Sequence, residues 1–112
     1  MENSLSLIGY VANYTGLQLA DAAQGGKYAI SEFELHTDEA TVQSPVFRLM
    51  GSLAVQLDTC AITPQTQLRV HFRVFSREYD DKNGIRRRGN DLSCWKIEVL
   101  DAAGNVVFIC RK

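Results

Sequence analysis

Arg69, Arg73 and Arg77 recur every four residues, with His71 and Phe75 between them. Leu68, Val70, Phe72 and Val74 fill the alternate positions. Period-two alternation describes a strand with one apolar face, so the arginines, the imidazole and the phenyl ring share the other. A row of cations interleaved with a ring can meet phosphate oxygens and stack a base. Three further arginines, Arg86, Arg87 and Arg88, follow an Asn83-Gly84 turn signal. Tyr79 stands at the start of that connection as a second stacking surface. The segment returns through Leu92 to Leu100 with the only tryptophan, Trp95. One hairpin therefore presents a basic strand face and a basic loop.

Each of these features has a plainer reading. A solvated sheet face also carries arginine, with cross-strand ion pairs to Glu32, Glu34 or Glu98. The Arg86–Arg88 loop can serve solubility alone, neutralised by Asp80, Asp81 and Asp91. Tyr79 can pack over a barrel rim. Trp95 alternates in phase with Ile97 and Val99, which places it with the core or rim rather than on the basic face.

Charge is distributed unevenly. The 112-residue chain has a net charge of −1, but residues 1–64 carry −5 and residues 65–100 carry +3. Such asymmetry points to an anionic partner on one side of the molecule.

Catalytic and cofactor chemistry find little support. His36 and His71 are the only histidines, and neither sits in a motif with a nucleophile and an orienting acid. No phosphate-loop or dinucleotide glycine motif is present. Glu78, Asp80 and Asp81 cluster in what reads as an exposed loop, a poor metal site. Cys60, Cys94 and Cys110 have neither zinc-ligand spacing nor an even count, so they read as buried free thiols. The expectation is a protein that is not an enzyme and uses no cofactor or metal.

The elements that must position the basic hairpin follow from patterning. Leu5 to Ala12 alternates as a strand, with Gly9 marking a bulge or coil. Asn13 to Gly26 reads as a long connection, with at most a helical turn over Leu17 to Ala23. Lys27 to Thr37 is a second strand, whose apolar face switches between Ile30 and Phe33 and so calls for a bulge or strong coil near Ser31. Residues 37–40 read as a turn and Thr41 to Met50 as a third strand, entered beside Pro45. Gly51 to Ala61 is the one helix, with Ser52 as N-cap and Pro64 as stop. After the hairpin come a turn over residues 101–105 and a short last strand, Val106 to Cys110.

Five strands with one helix between the third and fourth match a mainly β, five-stranded Greek-key OB barrel, here with an extra C-terminal strand. The length fits a single domain, residues 1–112. The connections between strands one and two and between four and five flank the ligand face in that fold. Here they are Asn13–Gly26 and Glu78–Asp91. No apolar run reaches the roughly 20 residues of a membrane span, and no secretory leader pattern opens the chain. A cytoplasmic protein with no membrane partner is expected.

Three stretches resemble a family of small bacterial OB-fold domains of unknown function, related to single-stranded-DNA-binding and primosomal replication proteins. They are Leu7-Ile8-Gly9-Tyr10-Val11 with Gly16, then Gly26-Lys27-Tyr28 through His36-Thr37. The third is Phe72 through Ser76-Arg77-Glu78-Tyr79 with Asn90-Asp91-Leu92 and Trp95-Lys96-Ile97-Glu98. The Ile85–Gly89 insert and the Val106–Cys110 strand depart from the family pattern. The resemblance implies a protein of DNA replication that binds single-stranded DNA, or RNA, with little sequence preference. Phosphates would meet Arg69, Arg73, Arg77, Arg86, Arg87 and Arg88, and bases would stack on Phe75 and Tyr79. A homodimer would lengthen the groove, since one OB unit covers about 4–16 nucleotides. The rival expectation is a protein-interaction module, an accessory subunit of a replication or phage-encoded complex, using an exposed strand edge.

Overall fold

Alternating burial along each strand sets the architecture. The computed structural model describes residues 4–37 and 44–112. Its elements are β1 (Ser4–Ala12), β2 (Gln18–Asp21), β3 (Lys27–His36), β4 (Val46–Met50), α1 (Ser52–Thr59), β5 (Gln67–Asp80), β6 (Arg86–Leu100) and β7 (Val106–Arg111). All pairings are antiparallel, in the order β2-β3-β1-β5-β6-β7, with β4 also paired to β3. Among the described residues no ladder joins β4 to β6, so the curled sheet is a half-barrel. This is the expected OB-type arrangement: β1, β3, β4, β5 and β6 are its five strands, α1 lies between the third and fourth, and β7 is the extra one.

The inner faces supply the core. Phe33, Leu35, Phe47, Leu49, Leu68, Val70 and Ile97 are fully buried. Phe47 bridges the two halves, with ring centroids 5.7 Å from Phe33 and 5.3 Å from Phe72. Tilted aromatic pairs of this spacing add to simple area burial. Helix α1 lays Leu53, Ala54 and Leu57 on this core. Gly9 stands where β1 crosses the end of β3. A Cβ there would lie 2.9 Å from the His36 carbonyl carbon and closer still to its oxygen, so only glycine fits.

Several local expectations are corrected. The Asn13–Gly26 connection is not a plain loop and holds no helical turn: Gln18–Asp21 is a strand pairing with Lys27–Ile30. No bulge interrupts the pairing of β3 with β4 from Ile30 to Glu34, and Ser31, Phe33 and Leu35 all point inward, Leu35 in register with Val11 of β1. The described third strand is Val46–Met50, shorter than the expected Thr41–Met50. The predicted turn at residues 37–40 falls mostly outside the described residues, as do residues 41–43. The helix N-cap is Gly51 at φ 67°, with no side-chain cap, rather than Ser52. The largest change is in the Glu78–Asp91 connection. It is a β-ribbon, paired as far as Asp80 with Arg86 and closed by a turn at residues 81–85.

Candidate nucleic-acid interface

Strand β5 alternates as its sequence dictates. Leu68, Val70 and Phe72 are buried, while Arg69, His71, Arg73, Phe75, Arg77 and Tyr79 take the opposite face. Beyond Val74 the core ends, and both faces of the strand meet solvent. Pairing with β6 sets Arg87 opposite Tyr79, Gly89 opposite Arg77 and Asp91 opposite Phe75. Arg87 therefore joins the Arg69–Tyr79 row. Glu78 faces Arg88 and Asp80 faces Arg86, so Arg86 and Arg88 lie on the ribbon's other side. The eight predicted residues divide six to two between the faces of one ribbon.

Trp95 belongs to the first face, not to the core, and this overturns its sequence assignment. The β5–β6 register pairs His71 with Lys96 but Phe72 with Cys94, leaving Trp95 as the extra residue of a bulge. The bulge turns the indole outward. Its ring centroid lies 5.6 Å from that of His71, and the Arg73 guanidinium carbon sits 5.1 Å from it. The indole N–H donates to Ser4 Oγ at 3.2 Å, which ties the ring to β1. Farther along, Arg77 lies 5.4 Å from the centroid of the Tyr79 ring. A Cβ on Gly89 would meet that ring at 3.4 Å, so Tyr79 lies across the glycine. Phe75, 51% exposed, stands between these two stacks.

Most of the cations on the ribbon are already matched by acids. Arg69 meets Glu98 at 3.4 Å, Arg77 meets Asp91 at 3.1 Å and Arg87 meets Asp81 at 2.7 Å. On the other face Arg86 contacts Glu78 at 3.1 Å and Asp80 at 3.5 Å, and Arg88 contacts Glu78 at 3.2 Å. Arg73 is in no ion pair among the described residues. Apart from Arg87–Asp81, whose carboxylate is tied into the turn, the ribbon pairs are well exposed, and such exposed pairs contribute only about 0–1 kcal/mol each. A phosphate oxygen can replace a carboxylate at these arginines at small cost. The Glu98 pair differs, because its carboxylate is nearly buried and also bonded to His71 Nε2. The His71 hydrogen bond holds the Glu98 carboxyl below its ordinary value, with Arg69 adding to the effect against the opposing pull of burial.

The turn that closes the ribbon is built by Asp81. Its Oδ1 accepts the N–H groups of Asn83 and Ile85, each at 2.9 Å, while Oδ2 holds Arg87. The Arg87 bond, followed by the backbone bonds, depresses the Asp81 pKa. Asp81 is thus more than the neutralising loop charge its sequence position suggests, because it also shapes the turn.

A concavity lies between β4 and the ribbon, a groove of about 690 Å³. Leu49, Leu53, Leu92 and Cys94 contribute apolar walls, Arg48 and Lys112 contribute cations, and the Arg77–Asp91 pair reaches it from the edge of the ribbon. Asn90, on the same ribbon face as Arg88, also lines it. Arg48 is exposed and weakly paired with Glu32 at 3.4 Å. Neither Arg48 nor Lys112 carries a sequence signal, because only the fold brings them opposite the ribbon. No cluster of three or more metal-ligating side chains occurs among the described residues. No described helix is long and apolar enough to cross a membrane.

No protein-family model matches the chain. No curated protein matches it either. Among solved structures it is similar to one described as Plasmodium falciparum SSB complex with ssDNA. The identity is 16% and the TM-score 0.52, covering 90% of this chain and 97% of that one. The likeness establishes an OB-type fold shared over nearly the whole of both chains.

Proposed function

We propose that this protein binds single-stranded nucleic acid, DNA foremost, with little sequence preference. The observation that carries the reading is the outward-facing row Trp95–Arg73–Phe75–Arg77–Tyr79, half-buried at Trp95 and Arg73 and exposed from Phe75 onward. It alternates rings with guanidinium groups on one face of β5 and β6. Bases stack on Phe75 and Tyr79, and on Trp95, which the bulge adds to the face. Phosphates meet Arg69, Arg73, Arg77 and Arg87. Arg86 and Arg88 hold backbone on the opposite face of the same ribbon, which lets the strand pass around its edge. Stacking is indifferent to base identity, and phosphate contacts carry no sequence information, so weak sequence preference follows. The structural likeness to an SSB solved with single-stranded DNA supports the choice of ligand.

On this reading the chain is a non-enzymatic cytoplasmic protein of DNA replication, related to the small bacterial OB-fold family it resembles. It acts as a homodimer that lengthens the binding track. A charge reversal at Arg73 and Arg87 together tests the site. The double variant Arg73→Glu/Arg87→Glu is expected to bind oligonucleotide far more weakly at low salt, and unchanged affinity would refute the assignment.

One observation favours the rival reading, a protein-interaction module. Strand β7 is a sheet edge, and Val106, Val107, Phe108 and Ile109 are all exposed on it. An apolar edge of this kind suits pairing with a partner's strand. Recovery of a stoichiometric protein partner and no nucleic acid from native cells would support that alternative over the first.

A further inference from the structure

Strand β7 is fastened to helix α1 at two neighbouring points. The Arg111 N–H donates to Gln56 Oε1 at 3.1 Å, and Gln56 Nε2 donates to the Arg111 carbonyl at 2.9 Å. The glutamine amide thus acts as one residue of a partner strand. One helical turn farther on, Cys60 Sγ lies 3.7 Å from Cys110 Sγ. The two sulfurs are in van der Waals contact, far apart in sequence and away from the arginine face. Cys60 follows the last residue of the helix and is partly exposed, whereas Cys110 is 2% exposed. Cys94 is buried, with its thiol directed to the Lys96 carbonyl at 3.8 Å.

We propose that Cys60 and Cys110 form a reversible dithiol–disulfide site whose oxidant is a small-molecule disulfide of the glutathione type. Exposure assigns the order of events. Cys60 releases its proton to solvent, and its thiolate attacks one sulfur of the oxidised glutathione. That disulfide breaks, one glutathione thiolate leaves, and Cys60 holds the other half as a mixed disulfide. Cys110 then loses its proton and attacks the Cys60 sulfur, expelling the second glutathione thiolate. Two protein thiols are oxidised, one glutathione disulfide is reduced, and the two departing thiolates take up the released protons. The sulfurs need only close from 3.7 Å to about 2.0 Å, within reach of small side-chain rotations. Burial is the largest of the causes that raise the Cys110 thiol pKa, so the resolving step quickens as pH rises.

The product pins the edge strand to the helix. It also closes a long loop containing β5, β6 and most of β7, the class of cross-link that most restricts an unfolded chain. The proposal stands apart from nucleic-acid binding and survives if that reading fails.

The test uses the whole protein incubated with oxidised glutathione at pH about 8.5, near the ordinary thiol pKa. Free thiols are then alkylated and the digest is mapped by mass spectrometry. The expected result is a Cys60–Cys110 peptide with Cys94 alkylated. The unfolding temperature rises by roughly 10 °C and returns on reduction. The variant Cys110→Ser is expected to retain one glutathione on Cys60, since the thiol beside it is gone and Cys94 is buried. The variant Cys94→Ser is expected to form the bond as the parent does, which keeps the test decisive if Cys110→Ser does not fold. Three alkylated thiols after prolonged incubation, or a bond through Cys94, would overturn the proposal.

Discussion

The Arg73 guanidinium carbon lies 5.1 Å from the Trp95 ring centroid, on an outer sheet face where the indole stands only because β6 carries one extra residue. The pair places a cation free of ion pairs among the described residues beside the protein's one indole. If bases stack there, Trp95 fluorescence changes on adding single-stranded oligonucleotide. Replacement by alanine then weakens binding by about 5- to 150-fold, the range for losing one stacked base at roughly 1–3 kcal/mol. Trp95→Phe keeps a π-face and loses less. A fluorescence titration of the parent, with anisotropy for both variants, checks this. Equal affinities for the parent and Trp95→Ala would remove the indole from the site.

The two faces of the ribbon separate by charge reversal. Arg77→Glu/Arg87→Glu alters the face shared with Phe75 and Tyr79, and Arg86→Glu/Arg88→Glu alters the opposite face. The first pair is expected to weaken binding more. It should also lower the slope of log affinity against log salt by about 0.7 for each single-strand phosphate that the variant no longer neutralises. Salt titrations of both variants measure this. Equal effects would mean that both faces of the ribbon hold the strand alike, rather than the face of Phe75 and Tyr79 carrying most of the binding.

Glu98 carries a pH dependence of stability. Its ordinary pKa is 4.5, and the His71 hydrogen bond, reinforced by Arg69, depresses it in the folded protein. An acid with a depressed folded-state pKa stabilises the fold above the unfolded value and stops doing so as pH falls through the folded one. Stability therefore declines as the solution is acidified below about 4.5. Glu98→Gln is expected to be less stable at neutral pH and to show a shallower decline on acidification. Urea midpoints at several pH values compare the two, and parallel profiles would show that the His71–Glu98–Arg69 cluster is not the cause.

Gly9 tests the crossing of β1 over β3. Its missing Cβ is what allows the His36 carbonyl to approach. Gly9→Ala forces backbone apart inside the sheet and is expected to cost about 1–3 kcal/mol, the usual range for overpacking. Gly84→Ala is the comparison, since nothing crowds that position and only its positive φ resists substitution. Thermal unfolding of both variants checks the order, Gly9→Ala being the less stable.

The basic face of β5 is legible in the sequence because the strand is half-buried over Leu68 to Phe72, so alternation must appear there. The helix is legible through Leu53 and Leu57, which must face the core, and through Pro64 beyond it. Trp95 is not, because strict alternation extended backward from Val99 and Ile97 turns it inward, and a one-residue bulge inverts that phase. The ribbon beyond Phe75 looks like a loop in sequence because neither face is buried there, so no apolar alternation marks it. Its regularity comes instead from ladder pairing, the Asp81 turn and cross-strand ion pairs, which leave only a pattern of opposite charges. Gln18–Asp21 is hidden for the same reason: four mostly exposed residues on a sheet edge carry no periodic signal.

The most direct test of single-strand binding is fluorescence anisotropy of a labelled oligo-dT over a salt series, with a duplex of equal length as control. Tight, single-strand-selective binding that weakens steeply with salt is the predicted result. Absence of binding at low salt, or equal affinity for the duplex, would contradict the account.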